Sequence, residues 1–212
     1  MTQPARQPPP APLLLPGLPP PGPGPGRRPR PADRLPPEVW AALTGHTPTR
    51  RRYLAKVHRR GPELCWYWLG AISDTGHGKL RAGSRAVGAA EAGEPPSRVV
   101  TAHVYGWHLV YGLAAAHPRT GLPLIAHRCD EASCQNPAHW RLDDTAGNTG
   151  EYMARRGAGT GPLADRRGPD GRARAIAAAI RAALAAGTAP DPAIDAAIAA
   201  GLPSAGTPVP LF

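Results

Sequence analysis

The residues with the clearest chemical pattern lie in one short segment. Cys129, Cys134 and His139 are each five positions from the next, so two thiols and an imidazole share one loop. Structural zinc takes four tetrahedral ligands, usually Cys and His. The only other cysteine, Cys65, precedes an apolar strand-like run whose pairing could bring it to the loop. The spacing therefore predicts a structural zinc site; the alternative is three buried free thiols, as isolated cysteines often are.

Two further side chains near this loop could do chemistry. His127 lies two positions before the first loop cysteine, and a neutral imidazole can take a proton from water. We predict that His127 is a general base, with an ordinary surface histidine as the alternative. The chain has two asparagines, Asn136 and Asn148, both near the loop. Asn136 is predicted to cap local backbone, and Asn148 to offer Mg²⁺ the oxygen ligand that it prefers.

Charge and composition favour a polyanionic partner. The 212 residues carry a formal net charge of +10, and 23 of the 25 basic residues are Arg. GC-rich codons account for part of the Arg excess but not for the sign of the charge. Nucleic acid is the first expectation, and a solvated basic surface is the alternative. With three cysteines and no apolar run near 18 residues, we expect a cytoplasmic protein without a membrane segment.

The elements that must position these residues indicate an α+β fold around a small antiparallel sheet. Alternating and β-branched runs predict strands, and capped runs predict helices. The predicted strands are 65–69, 79–82, 98–102 and 124–126. The predicted helices of this domain are 103–111, ended by Gly112, and 145–156. A turn at 76–78 and a loop at 83–97 join the strands, within a domain predicted over 64–157.

The segments outside this domain differ in composition. Residues 1–36 form a Pro- and Gly-rich tail that we expect to be disordered. Residues 37–63 are predicted as a basic helical segment, with helices over 37–43 and 47–60. The Arg-rich face of the second helix is either solvated or directed at DNA.

The carboxy-terminal part is predicted as a linker, a helical hairpin and a second tail, over residues 158–171, 172–202 and 203–212. The hairpin helices are expected at 172–186 and 192–200, with an apolar stripe of Ile176, Ile180 and Leu184. The hairpin is either a degenerate helix-turn-helix or a pair of helices that packs on the main domain or its partner.

Taken together, these motifs resemble the HNH or His-Me finger (ββα-metal) nucleases of the phage and homing type. The C-x4-C-x-N-P-x-H core at 129–139 carries the resemblance, and the zinc spacing is similar to that of the His-Cys box homing endonucleases. The family's C-W-x-W-x-G, G-Y-G-R and A-H-R-x-x-Y patterns are echoed at 65–70, 76–80 and 102–105. The resemblance covers about residues 64–157.

The resemblance implies a zinc-stapled ββα-metal finger with Mg²⁺-dependent DNA endonuclease activity. It implies His127 as the general base, Asn148 as the Mg²⁺ ligand, and a 5′-phosphate and a 3′-hydroxyl as the products. The implied structural zinc ligands are Cys65, Cys129, Cys134 and His139. The side chains expected to contact phosphate are Lys79, Arg81 and Arg128. The expected partner is double-stranded DNA; a homodimer is left open, and the GC-rich composition suggests a bacterial or phage gene.

Three positions depart from the family pattern. Ala126 stands where relatives often carry an acidic residue or Arg, which removes a second metal ligand. Val104 replaces an Arg, and His77 replaces a Tyr. Two alternatives stay open. One is a DNA-binding protein that is stabilised by zinc and does not cut. The other is an enzyme in which Cys129 is a nucleophile beside His127.

Overall fold

The computed structural model describes residues 35–113, 124–143, 145–157 and 160–203. Most of the predicted tails, and residues 114–123, lie outside this range. The described chain is α+β, with six α-helices and three small antiparallel sheets. None of the described helices is both long and apolar enough to cross a membrane.

Two short helices begin the described chain. Helices α1 (Pro37–Gly45) and α2 (Thr47–Leu54) each carry a proline in the first turn, where a missing N–H costs nothing. The prediction that the second helix continues to Arg60 was wrong. The chain leaves the helix to form β1 (Val57–His58), which pairs antiparallel with β2 (Tyr67–Trp68), so these backbone groups bond to a distant strand.

A three-stranded antiparallel sheet forms the centre of the structure. Its strands are β3 (Ala71–Ile72), β4 (Gly78–Ala82) and β5 (Arg98–Thr101), in the order β3-β4-β5. Helix α3 (Ala102–Tyr111) follows β5 directly and ends at Gly112, whose φ of 79° suits glycine. Strands β4 and β5, the turn before β4 and helix α3 agree with the prediction to within one or two residues. Strand β3 was not predicted, and the predicted strand 65–69 corresponds to β2, which pairs with β1 outside this sheet.

A second strand pair carries the loop of residues 128–136, here named the Cys-rich loop because it contains Cys129 and Cys134, and a helix follows. Strand β6 (Leu124–His127) pairs antiparallel with β7 (Trp140–Asp143), and helix α4 (Thr145–Gly157) follows. A single turn of 3-10 helix, Pro137–His139, leads into β7. Strand β7 was not predicted, because the four residues Trp140–Asp143 are too short a run for an alternating pattern to indicate a strand without its pairing partner.

The last two helices form a hairpin that packs on the rest of the chain. They are α5 (Gly168–Ala185) and α6 (Pro190–Ala199), so α5 begins inside the segment predicted as a linker. Ile176 and Ile180 are fully buried, whereas Leu184 is 53% exposed, so the predicted stripe was wrong at its last position. The buried contact between the hairpin and the domain consists of Tyr67, Ile176, Ile180 and Ile194. It therefore does not require a buried apolar side chain at position 184.

Among the residues that the structure describes, buried apolar side chains form two clusters. The larger lies between α1, α2, α3 and the central sheet and consists of Trp40, Leu43, Tyr53, Trp68, Leu80, Ala82, Val100, Ala102 and Tyr105. The smaller lies under the hairpin and consists of Tyr67, Ile176, Ile180 and Ile194. Neither cluster includes the Cys-rich loop, so the loop depends on other contacts for its position.

Candidate metal centre

Backbone pairing brings Cys65 to the Cys-rich loop. The segment after Cys65 lies antiparallel to residues 133–135, with a bridge between Tyr67 and Cys134. The N–H of Gln135 donates to the carbonyl of Trp66 at 2.7 Å, and the N–H of Trp68 donates to that of Ser133 at 3.3 Å. This pairing is the one expected from the strand after Cys65.

Asn136 fixes the loop to the segment just before Cys65. Its side-chain oxygen accepts from the N–H of Ala138 at 3.0 Å, which confirms the predicted local cap. Its amide nitrogen also donates to the carbonyls of Pro62, at 2.7 Å, and Leu64, at 2.8 Å. One side chain therefore holds both halves of the cluster, a role that local sequence did not reveal.

The four predicted ligands converge. The ligand atoms of Cys65, Cys129, Cys134 and His139 all lie within 4.8 Å of one another. Nδ1 of His139 is 3.6 Å from Sγ of Cys65 and 3.5 Å from Sγ of Cys134. A tetrahedral ion with bonds of about 2.3 Å to sulfur and about 2.05 Å to nitrogen separates such atoms by roughly 3.5 Å. The cluster therefore fits one metal ion.

The three thiols influence one another electrostatically. Hydrogen bonds from the thiols of Cys134 and Cys65 lower the pKa of Cys129. Hydrogen bonding with its two neighbours, followed by burial, raises the pKa of Cys65. Without a cation, repulsion between neighbouring thiolates favours only one ionised thiol in this group. A bound metal ion would stabilise all three as thiolates. Three unrelated buried thiols would not account for this convergence.

His127 ends β6, where it pairs across the ladder with Trp140. Its Nε2 lies 3.0 Å from the carbonyl oxygen of Cys134, and because a carbonyl only accepts, Nε2 carries the proton. The indole N–H of Trp140 donates to the same oxygen at 3.2 Å. Burial is the main cause that lowers the pKa of His127, so its ring is neutral at pH 7. The Cys-rich loop thus orients the His127 ring.

A second group of potential ligands was not anticipated. His77, His103 and His127 place ring nitrogens within 4.8 Å of one another. Sequence analysis treated His77 as a departure from a tyrosine and His103 as part of a motif. The three residues come from a turn, a helix and a strand end, so no spacing in the sequence could have indicated the group.

The other predicted residues come from helix α4, strand β4 and the residue after β6. Asn148 is half-buried near the start of α4. Lys79 and Arg81 share one face of β4, and the charge of Lys79 helps to lower the pKa of His103, which places Lys79 near the histidines. Arg128 is exposed, and its backbone N–H donates to the carbonyl of His139 at 2.8 Å.

Several basic residues of the predicted basic segment are engaged within the protein. Arg52 donates to the carbonyl of Gly83 at 2.7 Å, and Arg60 pairs with Asp191 at 2.9 Å. Arg59 lies over the ring of Trp66 at 5.2 Å. Part of the Arg excess therefore makes contacts within the fold. Arg50 and Arg51, in contrast, are exposed.

The groups of His, Cys, Asp and Glu that could hold an ion, within the described residues, contain no carboxylate. Sulfur and imidazole ligands suit zinc and its neighbours, whereas Mg²⁺ prefers oxygen. The side-chain chemistry of these groups therefore does not itself form a Mg²⁺ cage.

Comparison with known proteins identified no relative. No family model, no curated protein sequence and no solved structure matches this chain.

Proposed function

We propose that this protein is a Mg²⁺-dependent DNA endonuclease of the ββα-metal type with a structural zinc ion. The observation that carries the proposal is the position of His127. It ends the first strand of a strand–loop–strand–helix unit, and its ring is held by the carbonyl of Cys134 within the ligand loop. This order of elements, β6, β7 and α4, is the order that a ββα-metal finger requires.

Zinc is the proposed occupant of the Cys/His group. Three thiols and one imidazole at tetrahedral spacing are typical of structural zinc, and four protein ligands leave no open position for catalysis. Binding of structural zinc contributes on the order of 10 kcal/mol that also stabilises the fold. That contribution suits a loop that lies outside both apolar clusters.

His127 is proposed to activate the attacking water. With the proton on Nε2, the lone pair is on Nδ1, which can accept a proton from water. The resulting hydroxide would attack phosphorus, so that a new P–O bond forms while the bond to the 3′-oxygen breaks, and the leaving 3′-oxygen would take up a proton from solvent. The products are a 5′-phosphate and a 3′-hydroxyl.

Asn148 is the proposed protein ligand for Mg²⁺, which would stabilise the charge that develops on the phosphate. Ala126 offers no ligand beside His127, so water and phosphate oxygens would have to supply the remaining Mg²⁺ ligands. The side chains proposed to neutralise the DNA backbone are Lys79, Arg81 and Arg128. Double-stranded DNA is the proposed substrate.

A plasmid-nicking assay with the purified full-length protein tests this proposal. Wild type should nick in Mg²⁺ and stop when EDTA is added, and His127→Ala and Asn148→Ala should each lose activity by about 100-fold or more. His58→Ala is the matched control, because His58 is a half-buried histidine outside both ligand groups. Cleavage that persists in both site variants would overturn the assignment.

A DNA-binding protein that does not cut is the second candidate. It is favoured by the net charge of +10 together with Ala126, which supplies no metal ligand. Wild-type binding to duplex DNA without nicking in Mg²⁺ would support this candidate over the nuclease. A cysteine-nucleophile enzyme is disfavoured, because the thiol of Cys129 lies within the ligand group.

A further inference from the structure

We propose that His77, His103 and His127 form a second metal site, separate from the Cys/His group, for a divalent transition-metal ion such as Zn²⁺ or Co²⁺. The proposal goes beyond the nuclease function, which needs His127 but neither His77 nor His103.

The three rings meet at one point of the fold. His103 and His127 have ring centroids 4.5 Å apart, His77 and His103 5.1 Å, and His77 and His127 5.9 Å. Their ligand nitrogens lie within 4.8 Å of one another. Nitrogens bound tetrahedrally to one ion at about 2.05 Å lie roughly 3.3 Å apart, so a small inward shift of the side chains completes the site.

Each ring is oriented by its other nitrogen, as metal-bound histidines usually are. Nε2 of His103 donates to the carbonyl of Ile125 at 3.1 Å, and Nε2 of His127 donates to that of Cys134. Nδ1 of His77 bonds to Oγ1 of Thr75 at 3.0 Å. The resulting tautomers of His103 and His127 put a lone pair on Nδ1.

His103 supplies independent evidence. It is only 4% exposed, and its Nδ1 is buried without a hydrogen-bond partner among the residues that the structure describes. A buried polar atom without a partner is unfavourable, so such atoms call for an explanation. Burial, reinforced by the neighbouring histidines, keeps the pKa of His103 well below its usual value, so the ring is neutral. A metal ion is the partner that a neutral imidazole nitrogen lacks here.

The ligand chemistry selects the class of ion. Three imidazoles without a carboxylate suit Zn²⁺, Co²⁺, Ni²⁺ or Cu²⁺ and disfavour Mg²⁺. A fourth position is left for water or an anion. The nearby charge of Lys79 disfavours a bare cation and favours an anionic fourth ligand such as hydroxide or a phosphate oxygen.

Cobalt titration of the full-length protein, with zinc already bound at one equivalent, tests the site. Wild type should bind one equivalent of Co²⁺, with visible absorption but without the near-ultraviolet charge-transfer band of a thiolate ligand. His77→Ala, which removes a half-buried turn residue, should weaken this binding about tenfold or more and retain the zinc. His103→Ala should do the same.

His58→Ala is the control and should bind cobalt like wild type. The proposal is overturned if wild type binds no Co²⁺ beyond the zinc equivalent, if His77→Ala binds it unchanged, or if the cobalt spectrum shows thiolate ligation. The readout is metal binding, so the two proposals can fail separately. A wild-type protein that binds cobalt but does not nick DNA would refute only the nuclease function. A wild-type protein that nicks DNA but binds no cobalt would refute only the three-histidine site.

Discussion

The side chain of Asn136 donates a hydrogen bond to the carbonyl oxygen of Leu64 at 2.8 Å, which joins the residue before Cys65 to the loop that carries Cys134. A second bond, to Pro62, strengthens this join. The two halves of the ligand group are therefore held together by protein contacts, independently of any ion.

The first prediction concerns this join. Asn136→Asp keeps the oxygen that caps Ala138 but loses both donated bonds, and we expect zinc affinity to fall by tenfold or more, since each bond contributes about 1 kcal/mol. Competition with a chromophoric chelator measures the affinity. Asn148→Ala is the control, because Asn148 belongs to neither ligand group. Wild-type affinity in Asn136→Asp would contradict the assigned role.

The second prediction concerns removal of the structural ion. Cys65→Ser takes away one of four ligands, so the purified protein should contain well under one zinc per chain, and its Tm should fall. Elemental analysis and calorimetry measure the two effects. A strong chelator should lower the Tm of wild type in the same way. A zinc-free wild type with an unchanged Tm would be incompatible with a structural role.

The third prediction links the two proposals. An ion held by the three histidines would occupy the lone pair of His127 that must accept a proton. We therefore expect excess Zn²⁺ to inhibit Mg²⁺-supported nicking by wild type and to inhibit His77→Ala at least about tenfold less effectively. Nicking rates across a zinc titration measure this. Equal inhibition of the two proteins would show that zinc acts elsewhere.

The fourth prediction concerns the contact between the hairpin and the ligand loop. Nε of Arg172 lies 2.7 Å from a carboxylate oxygen of Glu131, and the two side chains are 6% and 2% exposed. Arg172→Met leaves a buried carboxylate without its partner and should lower the free energy of unfolding by about 3–5 kcal/mol. Chemical denaturation measures this.

Arg174→Met is the matched control on the same helix. The side chain of Arg174 is 57% exposed, so the change should cost less than about 1 kcal/mol. If both variants lost the same amount, the buried pair would have no special part in holding the hairpin.

The fifth prediction concerns the close approach of α3. A Cβ at Gly106 would lie 2.2 Å from the hydroxyl oxygen of Tyr53 and 2.5 Å from the ring of Trp140. Gly106→Ala should therefore destabilise the protein by about 1–3 kcal/mol.

In contrast, Gly150 in α4 has open space around it, and Gly150→Ala should stabilise by about 0.5–1 kcal/mol. Thermal unfolding of both variants measures the difference.

The sequence by itself predicted the features that depend on neighbours along the chain. The five-residue spacing of Cys129, Cys134 and His139 restricts all three to one loop, and the cap at Asn136 spans two residues. The turn before β4 and the end of α3 at Gly112 follow from the same local preferences. Cys65 could be assigned as the fourth ligand because it is the one cysteine outside the loop.

Tertiary structure decided what depends on pairing between distant segments. Helix α2 ends at Leu54 because the following residues bond to β2, and no local signal outweighs those bonds. The three histidines meet only because helix α3 packs against β6 and against β4, the strand that follows the turn of His77. The partner of Arg172 lies in a loop far from it in sequence. Local preferences act between near neighbours in the chain, whereas these contacts gain their free energy only when burial brings separate elements together.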